Sequence, residues 1–216
     1  MLRKVIGANR WAILLVLMIL SMLLEALIAQ RMGPTPLAEA VALVFGIAIL
    51  LGLVFSVSHP GPVVTGSVAV LLIYGVLGVL NAFVDAGWID NVMLSLSSLV
   101  LVGGLIIVFM QLVEPMRSDR EKLFSAVFGY FLIAWLWAYL YWRIETLAPG
   151  SMNFPDLGAG GGSAYLYYSL VTLTTLGYGD ITPLMPVPRI LAALEAALGT
   201  LYIAVLIGQI VGQARR

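Results

Sequence analysis

Near the C-terminal end of the chain, the heptapeptide "TTLGYGD", residues 174–180, has the composition of a main-chain cation site. If successive carbonyl oxygens are to point toward one axis, every second residue needs a positive φ, which glycine adopts without steric cost. Gly177 and Gly179 have this spacing. The carbonyls of residues 175–178, with the Thr175 hydroxyl, would then replace the water around a dehydrated monovalent cation.

A single strand of carbonyls cannot surround an ion, so several copies of the heptapeptide must converge on one point. The chain contains one such segment. We therefore expect a homo-oligomer with a pore on its symmetry axis. The site needs no charged side chain, because carbonyl dipoles supply the negative potential.

The composition of the chain indicates an integral membrane protein. Of its 216 residues, 62% are hydrophobic and 10% are charged, whereas soluble domains are about 45–50% apolar. The 11 basic and 11 acidic residues cancel, so no charge excess points to nucleic acid. Cysteine is absent, which excludes disulfides and thiolate metal sites, and the single histidine, His59, makes no metal site in a predicted turn.

Six apolar runs are long enough to cross a bilayer core of about 30 Å, which requires about 20 helical residues. The runs are residues 11–29, 37–57, 63–84, 92–113, 124–146 and 188–211. A seventh run, residues 164–173, is too short to cross and leads directly into the heptapeptide. Irregular backbone at membrane depth is tolerated where it lines a water-filled cavity. We therefore predict a re-entrant half-helix whose negative dipole end, near mid-membrane, favours a cation.

The basic residues indicate which side of the membrane each connector faces. Most of them fall on one side if the six runs alternate, which the positive-inside rule makes cytoplasmic. Those residues are Arg3, Lys4, Arg10, Arg117, Arg120, Lys122, Arg215 and Arg216. Arg31 and Arg143 are exceptions on the outer side. We expect an integral protein of the plasma (inner) membrane with both termini in the cytoplasm.

At these residues the sequence resembles the potassium channels. "TTLGYGD" is similar to that family's signature TxTTVGYGD, with Leu176 where valine is usual, and the resemblance runs from about residue 124 to the C-terminus. It implies an all-α membrane protein with six transmembrane helices. A re-entrant pore helix and a selectivity-filter loop would lie between the fifth and sixth helices of each subunit in a tetramer. The implied filter residues, of which the first four bind potassium ions, are Thr175, Leu176, Gly177, Tyr178 and Gly179.

The resemblance also implies roles for residues around the filter. Asp180 follows the filter, and Val171 occupies the place where some members have a carboxylate that pairs with it. We expect Asp180 to accept a hydrogen bond from Tyr167 or Tyr168 instead, unless both tyrosines simply pack. Glu195 lies about 12 Å into the last run, at filter depth, where an unpartnered carboxylate is costly.

We expect Glu195 to brace the loop by accepting hydrogen bonds from Thr172, Thr174 or the backbone, with direct ion binding as the alternative. Gly199 occupies the place of the family's hinge glycine, and it either permits bending during gating or allows close helix packing. Glu145 either is solvated at the outer mouth or braces the pore helix.

The implied domains are residues 1–116 with four peripheral spans, a cytoplasmic linker at 117–123, and a pore domain at 124–216. The fourth run contains no basic residue, so it draws almost no energy from the membrane potential and steep voltage gating is not expected. We predict a potassium-selective, passively conducting homotetramer in the lipid bilayer, which is not an enzyme and uses no organic cofactor. The sequence does not identify a regulatory partner.

Three other classes share part of this pattern. A non-selective cation channel would need fewer ordered carbonyls than the Thr-x-Gly-Tyr-Gly run supplies. A potassium uptake transporter has four degenerate loops in one chain, whereas this chain has a single intact copy. A non-conducting sensory or interaction protein with a vestigial pore is the remaining alternative.

Overall fold

The computed structural model describes residues 2–32, 119–154 and 162–213, together with scattered positions between residues 73 and 106. The predicted second run, residues 37–57, lies outside the described residues, as do His59, Arg117 and most of the third and fourth runs.

Every described position within the third and fourth runs is helical, which agrees with the predicted helices. Gly87, Trp88 and Ile89 are helical too, although they belong to the stretch "DAGWID" that was predicted as a connector. Part of that predicted connector is therefore helical.

Four helices are described over continuous ranges. They are α1 (Leu2–Met32), α2 (Asp119–Leu147), α3 (Gly162–Leu173) and α4 (Pro186–Gln213). Each contains the apolar run predicted for it. Because α2 begins at Asp119, residues 119–123 of the predicted linker are helical. Arginine, glutamate and lysine in this stretch are good helix formers, so the helix includes residues before its apolar run. Two prolines in the first turn of α4 fit a helix start, where no partner for the missing N–H is needed.

Three of the described helices are long and apolar enough to cross a membrane. The qualifying segments are Arg10–Ile28 in α1, Arg120–Leu147 in α2 and Pro186–Leu206 in α4. The 12 residues of α3 would reach only about 18 Å at about 1.5 Å per residue, which is short of a bilayer core. The described part of the chain is thus mostly helical, as expected of an all-α membrane protein.

The chain divides into two compact units, Met1–Gly129 and Tyr130–Arg216. In the first unit, one stripe of α1 is buried at the spacing of a helix face, with Trp11, Leu14 and Met18 among its members. The Trp11 ring lies 5.7 Å from the ring of Phe128, centroid to centroid. Aromatic and aliphatic packing therefore forms the described core of this unit.

In the second unit, α3 packs against α4. The buried residues of α3 are Tyr165, Leu166, Tyr168, Ser169, Val171 and Leu173. Gly199 of α4 lies against the last residue of α3: a methyl group added there would be 2.9 Å from the carbonyl carbon of Leu173 and 3.1 Å from its Cδ1, with the carbonyl oxygen closer still. The absence of a side chain at Gly199 therefore permits this close approach.

A short antiparallel hairpin connects the segment after α2 with the segment before α4. Its strands are β1 (Met152–Asn153) and β2 (Thr182–Pro183), with Met152 opposite Pro183. Next to it, the Ser151 carbonyl accepts a hydrogen bond of 2.8 Å from the Leu184 N–H. The chain leaving the 174–180 loop is thus tied to the end of α2.

Candidate functional site

The 174–180 loop starts directly at the C-terminal end of α3. The N–H groups of Leu176 and Gly177 both donate to the Val171 carbonyl, at 2.9 and 3.2 Å, and the Thr175 N–H donates to the Thr172 carbonyl at 2.9 Å. These bonds satisfy carbonyls that the last turn of a helix leaves without intrahelical partners. The position of the loop is therefore fixed by the end of α3.

The backbone of the loop changes hand at every second residue. Gly177 and Gly179 have φ values of 59° and 78°, as the spacing of the two glycines predicted. Thr175 extends the alternation with a φ of 59°. That conformation costs an L-residue about 1–2 kcal/mol, so surrounding bonds must hold it. The positive φ of Thr175 could have been predicted from the sequence, because an alternation that includes Gly177 and Gly179 also includes Thr175, two positions earlier.

The loop is exposed in the single chain. The side chain of Leu176 is 55% exposed and that of Tyr178 is 67% exposed, although both are large and apolar or aromatic.

Asp180 is held by two hydrogen bonds at the end of the loop. The Tyr167 hydroxyl donates to its Oδ2 at 2.6 Å, and the Ile181 N–H donates to its Oδ1 at 3.0 Å. The bond from Tyr167 lowers the pKa of Asp180 and raises the pKa of Tyr167 to about 12. The predicted hydrogen bond from the tyrosine pair is therefore present, and Tyr167 is its donor.

The second tyrosine of the pair has a different role. Tyr168 is buried and packs edge-on against the ring of Tyr141 in α2, with 4.9 Å between centroids. Tyr165, one turn earlier, stacks on Trp142 and meets Phe154 edge-on. These rings join α3 to the C-terminal part of α2 by aromatic packing.

Glu195 of α4 is fully buried behind α3, with 0% of its surface exposed. The Tyr141 hydroxyl donates to its Oε2 at 2.8 Å, and Oε1 is hydrogen-bonded to the hydroxyl of Ser169. The expectation that Thr172 or Thr174 would be the donor is wrong. Thr174 donates back to the Leu170 carbonyl of its own helix at 2.7 Å, because it lies past the end of α3.

Ser169 was missed as a partner of Glu195. The available signal was its place on the buried face of α3, three residues after Leu166 and four before Leu173. Glu195 thus contacts α3 at Ser169, about one turn before Thr172.

The last carbonyl of α3 is held from two sides. The Tyr130 hydroxyl of α2 donates to the Leu173 carbonyl at 3.0 Å, and Gly199 of α4 lies against the same group. Of the two predicted roles for Gly199, close packing is the one that this contact supports. A hinge at Gly199 stays a prediction.

Glu145 is hydrogen-bonded to the connector that follows α2. Its Oε1 accepts a hydrogen bond from the Gly150 N–H at 2.7 Å, and its Oε2 accepts one from the Met152 N–H at 2.9 Å. It therefore fixes the turn after α2 and the start of β1. One of the two predicted alternatives was that Glu145 braces the pore helix, but among the described residues Glu145 makes no hydrogen bond to α3.

Comparison with known proteins identifies the class of this site. A family model described as "Ion channel" matches residues 95–216, which is more than half of the chain. The chain belongs to the ion channel family. The matched part of this ion channel includes α2, α3, the 174–180 loop and α4. No solved structure matches the chain.

Ion channel membership agrees with the three apolar helices that are long enough to cross a membrane, so the protein is a membrane protein. Among the described residues of the channel, no group of three or more histidines and acids could hold a metal ion. Main-chain oxygens and a threonine hydroxyl, which the loop supplies, are groups of the kind that coordinate dehydrated monovalent cations.

Proposed function

We propose that this ion channel is selective for potassium and conducts it passively, without catalysis. The observation that carries the proposal is the alternation of positive φ at Thr175, Gly177 and Gly179 directly after a helix too short to cross the membrane. The sequence at those positions is similar to the potassium channel signature.

The proposed chemistry is replacement of hydration water. Alternating backbone handedness turns the carbonyls of residues 175–178 toward one side, where they face a dehydrated ion. The C-terminal end of α3 adds the negative end of a helix dipole, equivalent to about half an elementary charge. Both sources are fixed dipoles, so the ion meets a preformed site and can still leave it.

We propose that four copies of the chain form the pore. The exposure of Leu176 and Tyr178 supports this, because neighbouring copies would cover both side chains. A stripe of α4 also exposes large apolar side chains at helical spacing and would be covered by other copies and by lipid. The stripe consists of Val187, Ile190, Leu194, Leu198, Leu201 and Val205.

The proposed channel lies in the plasma (inner) membrane with both termini in the cytoplasm, as the distribution of basic residues indicates. It is not steeply voltage-gated, since residues 92–113 contain no lysine or arginine. Four peripheral spans and a two-span pore domain make up each proposed subunit.

Flux through liposomes that contain the purified protein tests the proposal. We expect rubidium, which resembles potassium, to pass much faster than lithium, and the protein to have the mass of a tetramer. Equal passage of lithium and rubidium, or a monomeric mass, would overturn the proposal.

A matched pair of glycine variants connects the flux to the loop. Gly177 and Gly150 both have positive φ, and an added methyl group at either position meets nothing within 4 Å. Alanine should therefore cause a similar local strain, about 1–2 kcal/mol, at each position. We expect Gly177→Ala to lose the preference for rubidium and Gly150→Ala to keep it.

A further inference from the structure

Three close oxygen–oxygen contacts meet behind the 174–180 loop. The Ser169 Oγ lies 2.8 Å from the Ala134 carbonyl oxygen and also within hydrogen-bonding distance of the Glu195 Oε1. The Tyr141 Oη lies 2.8 Å from the Glu195 Oε2. These contacts join α2, α3 and α4 at one buried point.

The two hydroxyl groups supply too few protons for these contacts. A serine hydroxyl and a tyrosine hydroxyl each have one proton to donate, whereas a carbonyl and an ionised carboxylate only accept. If Glu195 were ionised, Ser169 would donate either to Glu195 or to Ala134, and the other pair of oxygens would face each other without a proton. A proton on Glu195 provides the third hydrogen bond.

The surroundings of Glu195 also disfavour a negative charge. Its side chain is fully enclosed by its own chain, and among the described residues no basic side chain pairs with it. The titratable groups that face it are phenols: Tyr130 and Tyr141 from α2, and Tyr168 from α3. Burying a carboxylate without a cation is costly, and a protonated acid avoids that cost.

We propose that Glu195 is a neutral carboxylic acid whose proton is donated to Ser169, while Ser169 donates to the Ala134 carbonyl and Tyr141 donates to Glu195. Glu195 is thus a positioning residue that holds α3, and through it the 174–180 loop, between α2 and α4. Removal of the proton leaves one oxygen–oxygen contact without a hydrogen bond and puts a charge in the packed interior. The 174–180 loop should therefore lose the support of α3 as the pH rises and Glu195 ionises.

Infrared difference spectroscopy tests the protonation state without any flux. The difference between the wild-type protein and Glu195→Gln at neutral pH should contain the C=O band of a buried carboxylic acid. If the difference contains carboxylate bands instead, the proposal is wrong.

Two amide substitutions provide a second test. Glutamine at position 195 reproduces a neutral acid, since its NH₂ donates to Ser169 and its oxygen accepts from Tyr141. Glu145 is the matched control, because both of its oxygens accept N–H groups, and an amide nitrogen would oppose one of them. We expect Glu195→Gln to unfold near the wild-type temperature and Glu145→Gln to unfold at a lower one. A larger loss in Glu195→Gln than in Glu145→Gln, or failure of Glu195→Gln to fold, would contradict the proposal.

The functional consequence rests on the proposed channel activity. The ratio of rubidium flux at alkaline pH to flux at neutral pH should fall several-fold for the wild type and change little for Glu195→Gln. Equal pH profiles would refute the role of the Glu195 proton in holding the loop. If no variant conducts any cation, the proposed function fails, whereas the infrared and unfolding results still decide whether Glu195 is protonated.

Discussion

Replacing Gly199 with alanine distinguishes close packing from hinge bending in α4. Alanine is a better helix former than glycine by about 1 kcal/mol, so a purely flexible hinge position should become more stable when it is substituted. A position that seats another element should become less stable. The two roles therefore predict opposite signs for the change in the free energy of unfolding.

The magnitude follows from the contact with Leu173. The added methyl carbon would lie 2.9 Å from the Leu173 carbonyl carbon and 3.1 Å from its Cδ1. Overpacking of a core costs typically about 1–3 kcal/mol, and the upper end applies because the opposing group is backbone at the end of a packed helix. After subtracting about 1 kcal/mol of helix propensity, we expect a net loss of about 2 kcal/mol.

Thermal unfolding of the purified protein in detergent, followed by tryptophan fluorescence, measures this loss. Gly103→Ala is the control, since Gly103 is also helical and an added methyl group there meets nothing within 4 Å. Gly103→Ala should be as stable as the wild type or slightly more stable. If Gly199→Ala is also at least as stable as the wild type, the packing role of Gly199 is refuted and the hinge is favoured.

Two further substitutions test bonds around the loop. Tyr167→Phe removes the main cause of the lowered pKa of Asp180, so that pKa should rise toward its ordinary value of about 4. Because the bond stabilises the loop only while Asp180 is ionised, the wild type should lose this stabilisation as the pH falls through the lowered pKa of Asp180, whereas Tyr167→Phe should unfold at a lower temperature than the wild type at neutral pH and change less with acid. Equal acid dependence of the unfolding temperature in the two proteins would argue against the bond. Tyr130→Phe removes the hydrogen bond to the Leu173 carbonyl but keeps the ring beside Tyr202, so the free energy of unfolding should fall by about 1 kcal/mol in denaturant titrations. A Tyr130→Phe protein with wild-type stability would show that this bond does not help to hold the end of α3.

Features that depend on local rules could be predicted from the sequence. The positive φ of Gly177 and Gly179 follows from the spacing of two glycines, and the short α3 follows from an apolar run of insufficient length. The Tyr167–Asp180 bond was one of two pairings that the resemblance to the potassium channels implied. For the two glycines and the short apolar run, the relevant residues are close along the chain.

Features that depend on how the helices are rotated could not be predicted. α4 is apolar on nearly all sides, so its periodicity does not indicate which residue faces α3. The sequence therefore indicated the depth of Glu195 but not its partners, which are Ser169 and Tyr141. The contact of Gly199 with Leu173 could not be predicted for the same reason, because it depends on which side of α4 faces α3. The sequence alone therefore does not distinguish a hinge from close packing at Gly199.

The role of Glu145 depends on the tertiary structure for a different reason. Its acceptors are used by the N–H groups of Gly150 and Met152, five and seven residues later. Such bonds require the chain to turn back immediately after α2, and the turn itself depends on the pairing of β1 with β2. The hydrogen bonds of Glu145 to nearby residues thus depend on the pairing of β1 with a strand about 30 residues away.

The reversal potential of the purified protein in a planar bilayer, with potassium chloride on one side and sodium chloride on the other, tests the central claim most directly. If the carbonyls of residues 175–178 replace the hydration shell of potassium, the current should reverse close to the potassium equilibrium potential. A reversal near zero would indicate a non-selective pore, and a reversal near the sodium equilibrium potential would contradict the account outright.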